Sequence, residues 1–271
     1  MTLFNSKNEI EENSEKLHLE TYGNGKQQLV FLSGLGGTTR YWSSSINPLE
    51  KSYTITLVDL LGFGESPKPW TRYSVDRHVS ALNNVISELG PITLVGHSLG
   101  ALLAVAYAAK YPSNVKKTVL MSLPYFGSKD KALAYFRSGS IRGGFLYTNV
   151  VLTMVTCVLT RRVFGKILPY IIRDLPREVV KDLVKHTWRS STSSLWEVVY
   201  RYDVSVDFRA LPENLSVLFI HGDKDITAPI SAIAPIAASR SSWKLFALKN
   251  VDHHPFLRET EKCLELIDGH Q

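Results

Sequence analysis

Seven short strand-like runs, at residues 17–22, 28–32, 53–58, 92–95, 118–121, 217–220 and 244–248, alternate with helical patterns over most of this chain. The helical patterns fall at 74–89, 99–111, 229–238 and 255–267. Apolar strands joined through helices must bury both faces of a sheet, which makes that sheet mostly parallel. Residues 23–25, Gly-Asn-Gly, are a turn signal after the first run. The alternation stops between 125 and 210, where the text reads as several helices punctuated by Pro169 and Pro176, with a polar break at 190–194. The expected organisation is a polar tail at 1–16, a first core segment at 17–124, a helical cap at 125–210 and a second core segment at 211–271. Such a cap would stand over the carboxyl ends of the strands, where open α/β sheets bind ligands.

Composition removes several function classes. The 271 residues are 44% hydrophobic and 21% charged, enough for a sizeable core and unlike a disordered or fibrous chain. Two cysteines cannot build a disulfide framework, nor a zinc site by themselves. The start of the chain is polar and acidic, which argues against a secretory leader and for a cytosolic setting. The most apolar stretch, 145–160, is interrupted by threonines and Asn149, and falls short of the roughly 20 residues of a membrane span. Residues 125–210 hold 14 Lys+Arg against 7 Asp+Glu, whereas the remainder holds 17 against 18, so the basic excess belongs to the helical stretch alone. It forms no long block, and no nucleic-acid-binding signature accompanies it.

The sharpest chemical signal is Gly96-His97-Ser98-Leu99-Gly100. A buried strand leads in and an Ala-rich helix leads out, so the two glycines can form a tight turn that lifts the serine hydroxyl into the open. A serine at a helix start can also be no more than a cap. As a nucleophile it needs a base and an orienting carboxylate. The loop 221–229 after one late strand offers Asp223 and Asp225, and the loop 249–255 after the next offers His253 and His254. In a parallel sheet both loops emerge on the edge that carries Ser98. The fragment Gly34-x-Gly36 is not a dinucleotide fingerprint, because Thr39 stands where a third small residue is required.

Five segments together resemble the α/β-hydrolase fold superfamily, in its cap-bearing, esterase- and lipase-like form. They are 29–37 (LVFLSGLGG), 59–66 (DLLGFGES), the 96–100 turn, Gly222 to Asp225 and His253 to Pro255. The resemblance implies a mostly parallel sheet of about eight strands flanked by helices, with the cap inserted before the acid-bearing strand. It implies Ser98 as nucleophile, Asp225 as acid and His253, two before the proline, as base. Asp223 would shape its turn and His254 would be a competitor. His97 and His221 would be packing or hydrogen-bonding groups, and Asp203 and Asp207 solvated charges. The backbone N–H groups of Leu35 and Leu99 would form an oxyanion hole, and Gly34, Tyr125 and Phe126 would meet the substrate. Further aromatics of the cap, Tyr135, Phe136, Phe145, Trp188 and Trp196, could line an apolar pocket. Most relatives have histidine where this chain has Ser33. A serine nucleophile sets the chain apart from the dehalogenases and epoxide hydrolases that use aspartate.

The implied activity is hydrolysis of a small-molecule carboxylic ester or thioester through an acyl-enzyme, with no cofactor and no metal. Activity would fall as pH drops through the imidazole range, roughly 6–7, because a protonated base cannot accept the hydroxyl proton. Acyl transfer and C–C bond hydrolysis use the same machinery, and a ligand receptor with residual turnover is a different class on the same scaffold. The basic cap would favour an anionic substrate, an acidic carrier protein or an anionic lipid surface. Oligomeric state is not legible.

Overall fold

The computed structural model describes residues 16–138 and 144–269. The tail expected at 1–16 lies, apart from Lys16, outside the described residues. The sheet consists of β1 (Leu19–Tyr22), β2 (Gln27–Leu32), β3 (Tyr53–Val58), β4 (Ile92–His97), β5 (Val115–Met121), β6 (Ser216–Gly222) and β7 (Trp243–Leu248). Their spatial order is β1-β3-β2-β4-β5-β6-β7. Only β1 runs antiparallel, placing Leu19 opposite Val58, while every other pairing is parallel. Among the described residues the sheet has seven strands, in keeping with the expected mostly parallel sheet of about eight. Each of the seven has its own apolar run in the sequence.

Strand alternation divides the core cleanly. Val30 and Leu32 of β2, with Val217 and Phe219 of β6, face one side, where helices Val75–Ile86 and Leu99–Lys110 pack. Leu29 and Phe31, with Leu218 and Ile220, face the other, against Trp42, Phe256 and Leu264. Both faces being covered explains why these strands read as continuous apolar runs. Helix Val75–Ile86 starts at Ser74, whose hydroxyl accepts from the Arg77 N–H. Helix Leu99–Lys110 buries every residue from Leu99 to Ala108, and its alanines let it lie close on the sheet. The pattern read at 255–267 is two helices, Pro255–Arg258 and Thr260–Asp268, interrupted at Glu259.

Between β5 and β6 the described residues are mostly helical: Lys129–Arg137, Val150–Leu159, Leu168–Ile171, Arg177–Asp182, Trp188–Ser194 and Val204–Ala210, with π turns at Thr160–Phe164 and Leu195–Tyr200. The polar break expected at 190–194 is instead the body of helix Trp188–Ser194. Its serines face inward. Ser190 Oγ donates to Gly62 O at 2.8 Å, Ser193 Oγ accepts from Tyr73 N at 2.9 Å, and Ser194 Oγ lies 3.0 Å from His78 Nε2. Small hydroxyls here let a helix sit directly against the core while satisfying its polar groups. Asp203 is exposed, as a solvated charge would be, and Asp207 is half-buried. Asp203 Oδ1 accepts from Ser205 N, capping helix Val204–Ala210, and Asp207 accepts from the Tyr202 hydroxyl.

Candidate active site

β4 ends at His97, and Ser98 turns the chain with φ 52° and ψ −115° before the helix begins at Leu99. A side chain rarely adopts that backbone, so the surroundings must hold it. They do so by close approach. A Cβ on Gly96 would fall 2.4 Å from Gly100 O, and one on Gly100 would fall 2.4 Å from Leu32 O. Ser98 N donates to Met121 O at 2.9 Å, which anchors the turn to β5.

The loops after β6 and β7 meet in front of this turn. They are tied through their backbones, with Asp223 N to Leu248 O at 3.0 Å and Lys224 N to Val251 O at 2.9 Å. His253 Nε2 then lies 3.0 Å from Ser98 Oγ, while its Nδ1 lies 2.9 Å from Asp225 Oδ2 and 3.0 Å from Oδ1. Asp225 is buried, and its Oδ1 also accepts from the N–H groups of Thr227 (2.9 Å) and Ala228 (2.8 Å). Burial alone would raise this carboxyl, but the His253 ring and the Ala228 N–H hold it below its ordinary range. An ionised carboxylate can only accept, so it holds the proton of His253 on Nδ1 and leaves Nε2 free to accept from the Ser98 hydroxyl. The three side chains can therefore relay a proton from serine to imidazole.

The rival residues have other work. Asp223 Oδ1 accepts from Asn250 N at 2.6 Å, shaping the turn as expected. The His254 ring turns to Tyr41, whose hydroxyl lies 3.4 Å from its Nδ1. His97 Nε2 lies 2.7 Å from the His253 carbonyl, which can only accept, so Nε2 carries the proton and fixes the backbone of His253. Tyr41 stacks on the other side of His97 at 4.7 Å between ring centroids. Burial, with the rings of His253 and His254, holds His97 well below the ordinary histidine range. His254 is brought to about 4 by burial and by its neighbour His253. His221 Nε2 accepts from Leu123 N at 3.2 Å, and burial lowers it to about 4.

The loop after β2 closes the site from the opposite side. Ser33, fully buried, donates to Thr38 O at 2.8 Å and accepts from the Trp42 indole N–H at 2.9 Å. The serine that replaces the expected histidine thus pins this loop internally. A Cβ on Gly34 would stand 3.2 Å from Ser98 Cβ, so the loop passes hard against the turn. Leu99, first in its helix, has no carbonyl one turn back for its N–H. Asp59, buried, accepts from Thr39 N and Glu65 N at 2.8 Å each, joining this loop to the 59–66 turn. From the insert, Asp182 accepts from Thr38 Oγ1 at 2.9 Å and pairs with Arg40 Nε at 3.1 Å.

A cavity of about 260 Å³ opens at Ser98 and His253. Gly34, Leu35, Tyr41, His97 and His254 line its floor, and Phe136, Tyr147, Leu175, Val179, Leu183, Leu195 and Val199 come from the insert. Tyr125 and Phe126 do not line it. They border a separate recess with residues 199–204, because the chain turns away from the site after Pro124. Of the other aromatics, Phe136 reaches the cavity, Trp196 packs on Tyr200, Trp188 on Trp70, and Phe145 is exposed. Sequence reasoning missed Tyr41 and the leucines and valines of the wall. They carry no motif, and their only sign was apolar spacing in the inserted helices. Among the described residues no three His, Cys, Asp or Glu are grouped to hold a metal ion.

Residues 28–138 match the family model for the alpha/beta hydrolase fold. Among curated proteins, an uncharacterised protein of Mycobacterium tuberculosis is 24% identical over 257 residues, covering 89% of this chain and 74% of that one. The probable lysophospholipase BODYGUARD 5 of Arabidopsis thaliana is 23% identical, covering 84% of this chain and 58% of its own length. Among solved structures, an esterase from Exiguobacterium antarcticum shares the fold with a TM-score of 0.72, at 22% identity over 94% of both chains. The chain has the α/β-hydrolase fold, and its residues 28–138 match the model of that family.

Proposed function

We propose that this protein is a serine hydrolase that cleaves a carboxylic ester or thioester with a largely apolar acyl group. The observation that carries the reading is the unbroken line from Ser98 Oγ through His253 to Asp225, opening directly on the cavity. Its relatives include an esterase and a probable lysophospholipase, which supports the same reaction class. Ser98 Oγ attacks the acyl carbon as its proton passes to His253 Nε2, and the carbonyl becomes an oxyanion. The N–H groups of Leu35 and Leu99 receive that charge, where a fixed donor contributes about 3 kcal/mol to the transition state. The proton on His253 then leaves with the alcohol or thiol, and the C–O or C–S bond breaks. Water, deprotonated by His253, attacks the acyl-enzyme and releases the acid. Asp225 keeps the imidazole oriented and stabilises its charged form. Residues 125–210 act as the cap, and their aliphatic wall selects the acyl group.

A fluorophosphonate probe should label Ser98, and a panel of p-nitrophenyl esters of graded length beside thioesters should show turnover. Ser98→Ala should abolish labelling, and Asp225→Asn should lower kcat by roughly 10³- to 10⁴-fold while leaving the fold intact. An unlabelled Ser98 in folded protein overturns the reading.

A further inference from the structure

Residues 145–171 carry an apolar face that the fold leaves uncovered. Helix Val150–Leu159 and the π turn Thr160–Phe164 that extends it bury Thr153 and Cys157. Val151, Val155, Leu159 and Val163, spaced four apart, instead face solvent at 59, 43, 46 and 59% exposure. Ile167, Tyr170 and Ile171 continue the patch at 45, 66 and 64%. Aliphatic side chains exposed together in this number mark a surface that meets something apolar.

Charge says what that is. Residues 150–177 carry Arg161, Arg162, Lys166, Arg173 and Arg177 against Asp174 alone. Arg162 and Lys166 are exposed and pair with no carboxylate among the described residues. An apolar face bordered by unneutralised cations matches the boundary between acyl chains and anionic headgroups. No helix among the described residues is long and apolar enough to cross a membrane, which leaves the plane of the interface. We propose that this face docks the protein on an anionic lipid bilayer. Tyr147 stands at 39% exposure beside the patch and also lines the cavity, as does Leu175 just beyond it. The docked face thus sits at the cavity mouth, where an acyl chain could pass from the bilayer to Ser98. That last step rests on the serine hydrolase reading, whereas docking does not.

Cosedimentation of the full chain with vesicles tests the proposal. Binding to phosphatidylcholine mixed with phosphatidylglycerol, weak binding to phosphatidylcholine alone, and loss with added salt are expected. Arg162→Gln with Lys166→Gln should weaken binding roughly thirtyfold. Val155→Ser with Val163→Ser should weaken it as well. Both pairs lie outside the catalytic machinery and should leave turnover of a short soluble ester unchanged. No binding, equal binding to both vesicle types, or a stable dimer in solution that the valine pair dissociates would overturn the proposal. Fluorophosphonate labelling of Ser98 without vesicles tests the hydrolase reading separately.

Discussion

Ser33 shows how a single hydroxyl can set a loop. It donates to Thr38 O and accepts from Trp42, so both ends of the Gly34–Thr38 segment hang on one atom. Ser33→Ala leaves the buried indole N–H without an acceptor, a loss of about 1–3 kcal/mol. The variant should melt at lower temperature and lose kcat/KM, with Ser98 still accessible to a fluorophosphonate. An unchanged melting temperature would show that the loop is held elsewhere. His97 works at the same scale. Its place in the motif marked it as a packing or hydrogen-bonding group but did not name its partner, the His253 carbonyl, since that contact spans 156 residues.

At the scale of elements, the geometry of the site is a matter of where two loops touch. A Cβ on Gly222 would stand 2.1 Å from Val251 O, so the β6 and β7 loops meet backbone to backbone. Gly222→Ala must push them apart and with them Asp225 and His253. Displacements of about 1 Å cost up to roughly a hundredfold in rate. A fall in kcat of tenfold or more, with KM little changed, is the expected outcome, and wild-type kcat would refute it. These loops were legible in the sequence because each follows an apolar strand and holds a short polar motif. The strands themselves were legible because burial on both faces makes them continuous apolar runs. Helix Trp188–Ser194 was hidden, since its serines follow the core they bond to and not helix propensity. The cavity wall was hidden for a related reason. Val179, Leu183 and Leu195 look like any helix interior until the insert is folded back over the sheet.

Across the whole molecule, among the described residues, five histidines, His78, His97, His186, His221 and His254, are held below the ordinary histidine range, and four of them strongly. His78 is lowered to about 3, His221 and His254 to about 4, and His97 well below its ordinary range, each chiefly by burial. On unfolding each returns to a value of about 6.5, so the unfolded chain binds more protons below that pH. Stability is therefore full above about pH 6.5 and falls as pH drops towards 4, on the order of 1.4 kcal/mol per pH unit for each histidine. Thermal melts at constant ionic strength should shift steeply downward between pH 6.5 and 5. A flat profile there would mean that these rings protonate without unfolding.

The recess bordered by Tyr125 and Phe126 on one side and residues 199–204 on the other has a different kind of consequence. Chain departs from the sheet and comes home through that one doorway, and helix Val204–Ala210 then packs Val204 and Phe208 into the sheet core. The described helices between the two doorposts add no strand to the sheet, yet Val179 and Val198 pack into its two core faces, so the stretch is built into the scaffold and not merely hung from it. Any replacement for it must therefore bring new cover for both of those faces.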